Sequence, residues 1–113
     1  MNKLFEDFLV KKEFITVIME YLSFSEQRKL MAETNVLPSN HGAGLTNMLF
    51  MKENSTIIEL KSDAEDINNC FFNLARDLEH RYFYSINSSK DKRVQRANIQ
   101  VDFKALNDIF QII

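Results

Sequence analysis

The sequence predicts one α/β domain, an open parallel sheet with helices on both faces. Two observations carry that prediction. Short β-branched and aromatic runs alternate with segments whose apolar residues recur every three or four positions, and strands alternating with helices form a parallel sheet covered on both sides. The chain has 113 residues, 45% of them hydrophobic and ten of them Phe, enough for the core of one compact domain. No internal repeat, low-complexity tract or linker divides it, so residues 1–113 read as a single domain.

The elements follow in order. Leu4, Phe5, Phe8 and Leu9 fall at helical spacing and predict an amphipathic helix over 3–12. Phe14-Ile15-Thr16-Val17-Ile18-Met19 is a β-branched, aromatic run suited to a buried strand over 14–19. Ser23 with Glu26 forms a capping box, in which each side chain serves a backbone donor of the other, and opens a helix over about 24–33. Val36-Leu37 begins a second strand, over 35–39. Pro38 lacks the N–H a central strand needs, so this strand is an edge or ends there. A helix is expected from Gly44, carrying Leu45, Met48 and Leu49 inward.

Thr56-Ile57-Ile58-Glu59-Leu60 is the third strand. Ser62 with Glu65 repeats the capping-box pattern before a helix whose Ile67, Cys70, Phe71, Leu74, Ala75 and Leu78 trace one apolar face. Tyr82 to Ile86 is the fourth strand, and polar residues 87–96 read as a loop containing Lys90, Lys92, Arg93 and Arg96. Asp102 caps a last helix with Phe103, Leu106, Ile109, Phe110 and Ile113 inward.

Charge and length exclude several classes. Fourteen basic against sixteen acidic residues leave a net charge of -2, with no electrostatic footprint for nucleic acid. Cys70 is the sole cysteine, so no intrachain disulfide forms. The longest apolar run is far short of the roughly 20 residues a spanning helix needs, and no signal-peptide pattern opens the chain. The sequence therefore reads as soluble and cytoplasmic, with no transmembrane segment. Peripheral association is the one membrane contact left open.

The chemistry concentrates in Ser39-Asn40-His41-Gly42-Ala43-Gly44-Leu45-Thr46-Asn47. The only two glycines of the chain stand here, directly after a strand and before a helix. Ligands of open α/β sheets bind outside the carboxyl ends of the strands. A helix N-terminus there offers unpaired N–H groups suited to phosphate. Glycine lets the backbone approach closely, and a β-branched residue at Gly44 is expected to block the phosphate and resist the turn. His41, Thr46 and Asn47 add side-chain donors. An ordinary tight turn with His41 on the surface is the alternative.

The runs Leu22-Ser23-Phe24-Ser25-Glu26-Gln27, Asn40-His41-Gly42-Ala43-Gly44-Leu45-Thr46-Asn47-Met48-Leu49-Phe50 and Thr56-Ile57-Ile58-Glu59-Leu60 resemble, in order and spacing, the family-61 glycosyltransferases. The resemblance covers about residues 14–86. It implies a Rossmann-like domain similar to the C-terminal, donor-binding half of a two-Rossmann-domain (GT-B) enzyme. That enzyme would be an inverting hexosyl- or pentosyltransferase of capsular, exopolysaccharide or other cell-surface glycan synthesis, using a nucleotide-sugar donor and a glycan acceptor. It implies further that an N-terminal acceptor domain is missing, that the chain is a fragment inactive alone, and that neither metal nor cofactor is needed.

On that reading His41, Gly42, Ala43, Gly44, Leu45, Thr46 and Asn47 hold the donor diphosphate, and Ser23, Glu26, Gln27 and Glu59 face its ribose or base; no residue is assigned as catalytic base. Blander roles stand beside these: Glu26 as a cap, Glu59 as an exposed strand-end charge, His80 as a complement to its helix dipole. Cys70 is expected in the core. No His, Cys or carboxylate spacing suggests zinc. A non-catalytic α/β nucleotide-binding module and a truncated gene remnant are the competing functions.

Overall fold

The computed structural model describes residues 3–63, 69–89 and 99–113. Helix α1, Lys3–Lys11, is followed by a short 3-10 turn, Met19–Tyr21, and by α2, Phe24–Ala32. Strand β1, Val36–Asn40, leads into a 3-10 helix, Ala43–Phe50, and β2, Thr56–Ser62. Then come α3, Cys70–Asp77, β3, Arg81–Ser89, β4, Ile99–Gln100, and α4, Phe103–Ile112. The sheet order is β1-β2-β3-β4. The first three strands are parallel, with Leu37 opposite Ile57 and Ile57 opposite Tyr82. β4 pairs antiparallel with the end of β3.

Strand alternation sends successive β2 side chains to opposite faces. Ile58 and Leu60 meet Phe5 and Leu9 of α1 and Leu106 and Ile109 of α4. Ile57 points the other way, against Met31 of α2, Leu45 and Met48 of the 3-10 helix, and Ala75 of α3. Both faces of the parallel sheet are thus covered, as the alternating pattern predicts.

The expected strand over 14–19 does not form. Residues 14–18 are irregular, and Ile15 and Ile18 are 77% and 51% exposed. The reason lies in the edge beside them. His41 N–H donates to Leu60 O, and Thr56 N–H donates to Asn35 O. The odd-numbered residues of β1 therefore bond β2, and the even-numbered ones turn their backbone groups outward. Pro38 is one of those, so the free edge lacks a donor at its centre. That placement loses β1 no bond to β2 and leaves the Phe14–Ile18 run a poor partner. A cleft of about 650 Å³ lies between this run and β1, lined by Phe14, Val17, Met31, Leu37, Pro38 and Ser39 among others.

Other expectations shift in detail. The helix after Gly44 is 3-10, and Leu49 is 48% exposed rather than inward. Leu4 is likewise 66% exposed. The Ser23–Glu26 capping box forms. Ser62 instead extends β2, where it stands opposite Asn87, while Glu65 and Ile67 lie outside the described residues. Helix α3 begins only at Cys70, which is exposed rather than buried. Residues 87–89 continue β3 instead of opening a loop. The basic positions 90–96 lie outside the described residues. Asp102 caps α4 by accepting from Ala105 N–H at 3.0 Å.

Candidate functional site

Glu59 shares a sheet face with Ile57 but sits one step nearer the carboxyl end of β2. It has no exposed surface. A carboxylate in that position is costly unless both oxygens are satisfied. They are: Tyr82 donates its hydroxyl hydrogen to Oε1, and His41 Nδ1 meets Oε2. A carboxylate only accepts, so the shared hydrogen belongs to Nδ1. Tyr82 reaches Glu59 because β3 runs parallel beside β2 with Tyr82 opposite Ile57. Burial and the bond to Glu59 both raise the phenol above its ordinary range, so it remains a donor at neutral pH.

His41 leaves β1 with its N–H still on the ladder to Leu60 O, 3.1 Å. Its side chain is 17% exposed, and its ring lies edge-on to Phe71 of α3 at 5.0 Å. Gly42 follows at φ 156° and ψ −178°, a region essentially closed to residues with a Cβ. Leu45 N–H bonds Gly42 O at 3.1 Å as the first link of the 3-10 helix. The N–H groups of Gly42, Ala43 and Gly44 precede that link and have no acceptor within the helix.

The sequence-derived site residues divide. His41 and Glu59 are brought together, beside the turn of Gly42, Ala43 and Gly44. The Leu45 side chain is in the core, and Asn47 Nδ2 turns back to Gly44 O at 3.0 Å. Thr46 is exposed. Ser23 and Glu26 bond each other's backbone at 3.1 and 2.9 Å. Those bonds hold the Glu26 carboxyl below the usual range. Gln27 Nε2 donates to Met19 O and Leu22 O. None of these three bonds His41 or Glu59. Glu59 is neither an exposed strand-end charge nor open to a ligand, because it is fully buried. His80 is also buried, just past the C-terminus of α3; its Nε2 donates to Met48 O at 3.0 Å, tying the chain ahead of β3 to the 3-10 helix.

Tyr82 and Phe71 escape sequence reasoning as site residues, since each fits an apolar pattern. One signal pointed to Tyr82: a lone carboxylate in an apolar strand needs a donor, and Tyr82 is a hydroxyl-bearing residue at the start of the next strand. Among the described residues no three of His, Cys, Asp and Glu stand together to hold a metal ion, and no helix is long and apolar enough to cross a membrane.

Fold and site together define an α/β domain in which Glu59 within β2 and Tyr82 at the start of β3 lead to His41 and the glycine turn at the carboxyl end of β1, the side on which open sheets of this class bind ligands. The family model Glycosyltransferase 61 matches residues 1–58, just over half of the chain, and the chain belongs to that family. It is a glycosyltransferase chain. The match takes in the whole His41–Asn47 turn and ends one residue before Glu59. No curated protein matches the sequence.

Proposed function

We propose that this chain is the donor-binding domain of a glycosyltransferase and holds the diphosphate of a nucleotide-sugar at the turn after β1. The observation that carries the reading is the pairing of His41 with buried Glu59 next to a glycine-only backbone turn. With its Nδ1 hydrogen committed to Glu59, the ring donates through Nε2 only as an imidazolium. A diphosphate would then meet a charge-assisted donor from one side and the N–H groups of Gly42, Ala43 and Gly44 from the other. Leu45, whose N–H is already used, contributes packing instead. Thr46 adds an exposed hydroxyl.

Ser23 and Glu26 remain the groups assigned to the ribose, at the exposed start of α2. Gln27, with both amide hydrogens bonded, and Glu59, buried, support the site without touching the donor. Acceptor binding and the catalytic base fall to a second, GT-B-like domain, so these 113 residues alone should not transfer sugar. Cell-surface glycan synthesis without a metal or cofactor is the setting that fits this reading.

The test is calorimetry with UDP, GDP and their sugars. One charge-assisted hydrogen bond contributes roughly 1.5–3 kcal/mol, so His41→Ala should weaken binding about ten- to a hundredfold. Equal affinity in parent and variant, with circular dichroism unchanged, would return His41 to the role of a turn residue.

A further inference from the structure

We infer that Tyr82 is a positioning residue of this site, the anchor of a Tyr82–Glu59–His41 chain that fixes the His41 ring. Its part in donor binding rests on the reading above, but the chain itself rests on geometry alone. Glu59 is fully buried on the face that carries Met31, Leu45 and Met48. A buried carboxylate bonded through one oxygen only would have an unsatisfied acceptor in low dielectric. Tyr82 occupies that oxygen, which leaves the other aimed at His41 Nδ1. The phenol ring is itself held, 5.5 Å from Phe72 and packed beside the α3 side of the core. Three parallel strands are thereby linked: β3 sets Tyr82, Tyr82 sets Glu59 on β2, and Glu59 sets the histidine that leaves β1. Phe71 closes the edge of the imidazole at 5.0 Å, so the ring is restrained from two sides.

Tyr82→Phe keeps the ring and its packing and deletes only the hydroxyl, which makes it the informative change. We expect it to weaken UDP or GDP binding about tenfold. In a His41→Ala background the same change should have almost no effect, because the chain then has nothing to position. The second readout does not involve a ligand. In nitrogen-resolved NMR of the free 113-residue chain, the Nδ1 hydrogen of His41 should appear as a protected, downfield resonance that Tyr82→Phe broadens or shifts.

Equal losses of affinity in both backgrounds would overturn the proposal, since Tyr82 would then act on the fold or on the donor directly. So would a His41 resonance indifferent to the change. If the parent binds no nucleotide at all, the donor-binding reading fails. The resonance alone then decides whether the chain of three exists.

Discussion

Gly42 and Gly44 stand two residues apart and meet different demands. Gly42 has φ 156° with nothing within 4 Å of where a Cβ would stand, so its constraint is conformational and not steric crowding. Gly44 has no such φ, and a Cβ there would meet Ser39 Oγ at an ordinary 3.8 Å. The expectation that Gly44 resists a side chain because of the turn therefore transfers to Gly42. Gly42→Ala should destabilise the chain by roughly 1–3 kcal/mol, whereas Gly44→Ala should be neutral or stabilising by about 0.4–1 kcal/mol. Thermal unfolding of both variants checks this, and the reverse order would refute the assignment. His41 and Glu59 were each legible in the sequence as polar residues near strand ends. Their pairing was not, because it depends on the register of β1 against β2. Tyr82 was further out of reach, entering through the separate β2–β3 register.

At the scale of elements, helix ends separate what pattern predicts from what packing decides. Helices α1 and α3 finish alike: Phe14 N–H bonds Leu9 O, and His80 N–H bonds Ala75 O. Glu13 and Glu79 sit at the turn of each in left-handed backbone, φ 67° and 61°. This is the six-to-one closure that glycine usually makes. A chain with two glycines, both in the His41–Asn47 turn, fills these positions with glutamate and bears the strain of a Cβ there. Glu79→Gly should accordingly raise stability by about 0.5–1 kcal/mol, after the greater chain entropy of glycine is set against the relieved strain. A lowered melting temperature in that variant would show that Glu79 contributes through its side chain instead.

The two capping-box patterns make the same point. Ser23–Glu26 closes as read. Ser62 is drawn into β2 opposite Asn87, whose buried amide bonds Lys61 O and Ser85 and accepts from Asp102 N–H at 2.8 Å. The second pattern has its serine inside a strand ladder and its Glu65 outside the described residues, and α3 opens at Cys70 behind Asn69.

For the whole molecule the question is why the parallel sheet stops at β1. The Phe14–Ile18 run has the composition of a further strand and lies across a cleft from the free edge. The β-branched pattern was readable in the sequence, and Pro38 marked β1 as an edge or a strand end; which β1 backbone groups face outward was not, because that depends on the β1–β2 register. That edge presents the outward backbone of Val36, Pro38 and Asn40, and its middle residue has no hydrogen to donate. Proline at such a position is a known protection of exposed edges against unwanted pairing. The exposed Ile15 and Ile18 nearby make the protection consequential, since apolar side chains beside an open ladder invite a second strand. Pro38→Val should restore the missing donor and raise β propensity together. One of two results follows: either residues 16–18 dock and their amides gain protection from hydrogen exchange, or two copies pair through β1. An added backbone bond contributes about 1 kcal/mol, so self-association would tighten by roughly five- to tenfold per bond gained. Sedimentation velocity over a concentration series reads the second outcome, and exchange mass spectrometry reads the first. If the variant neither associates more strongly than the parent nor protects residues 16–18, Pro38 is not what ends the sheet, and the cleft beside β1 is held open by the packing of Phe14 against Phe110 at 5.4 Å instead.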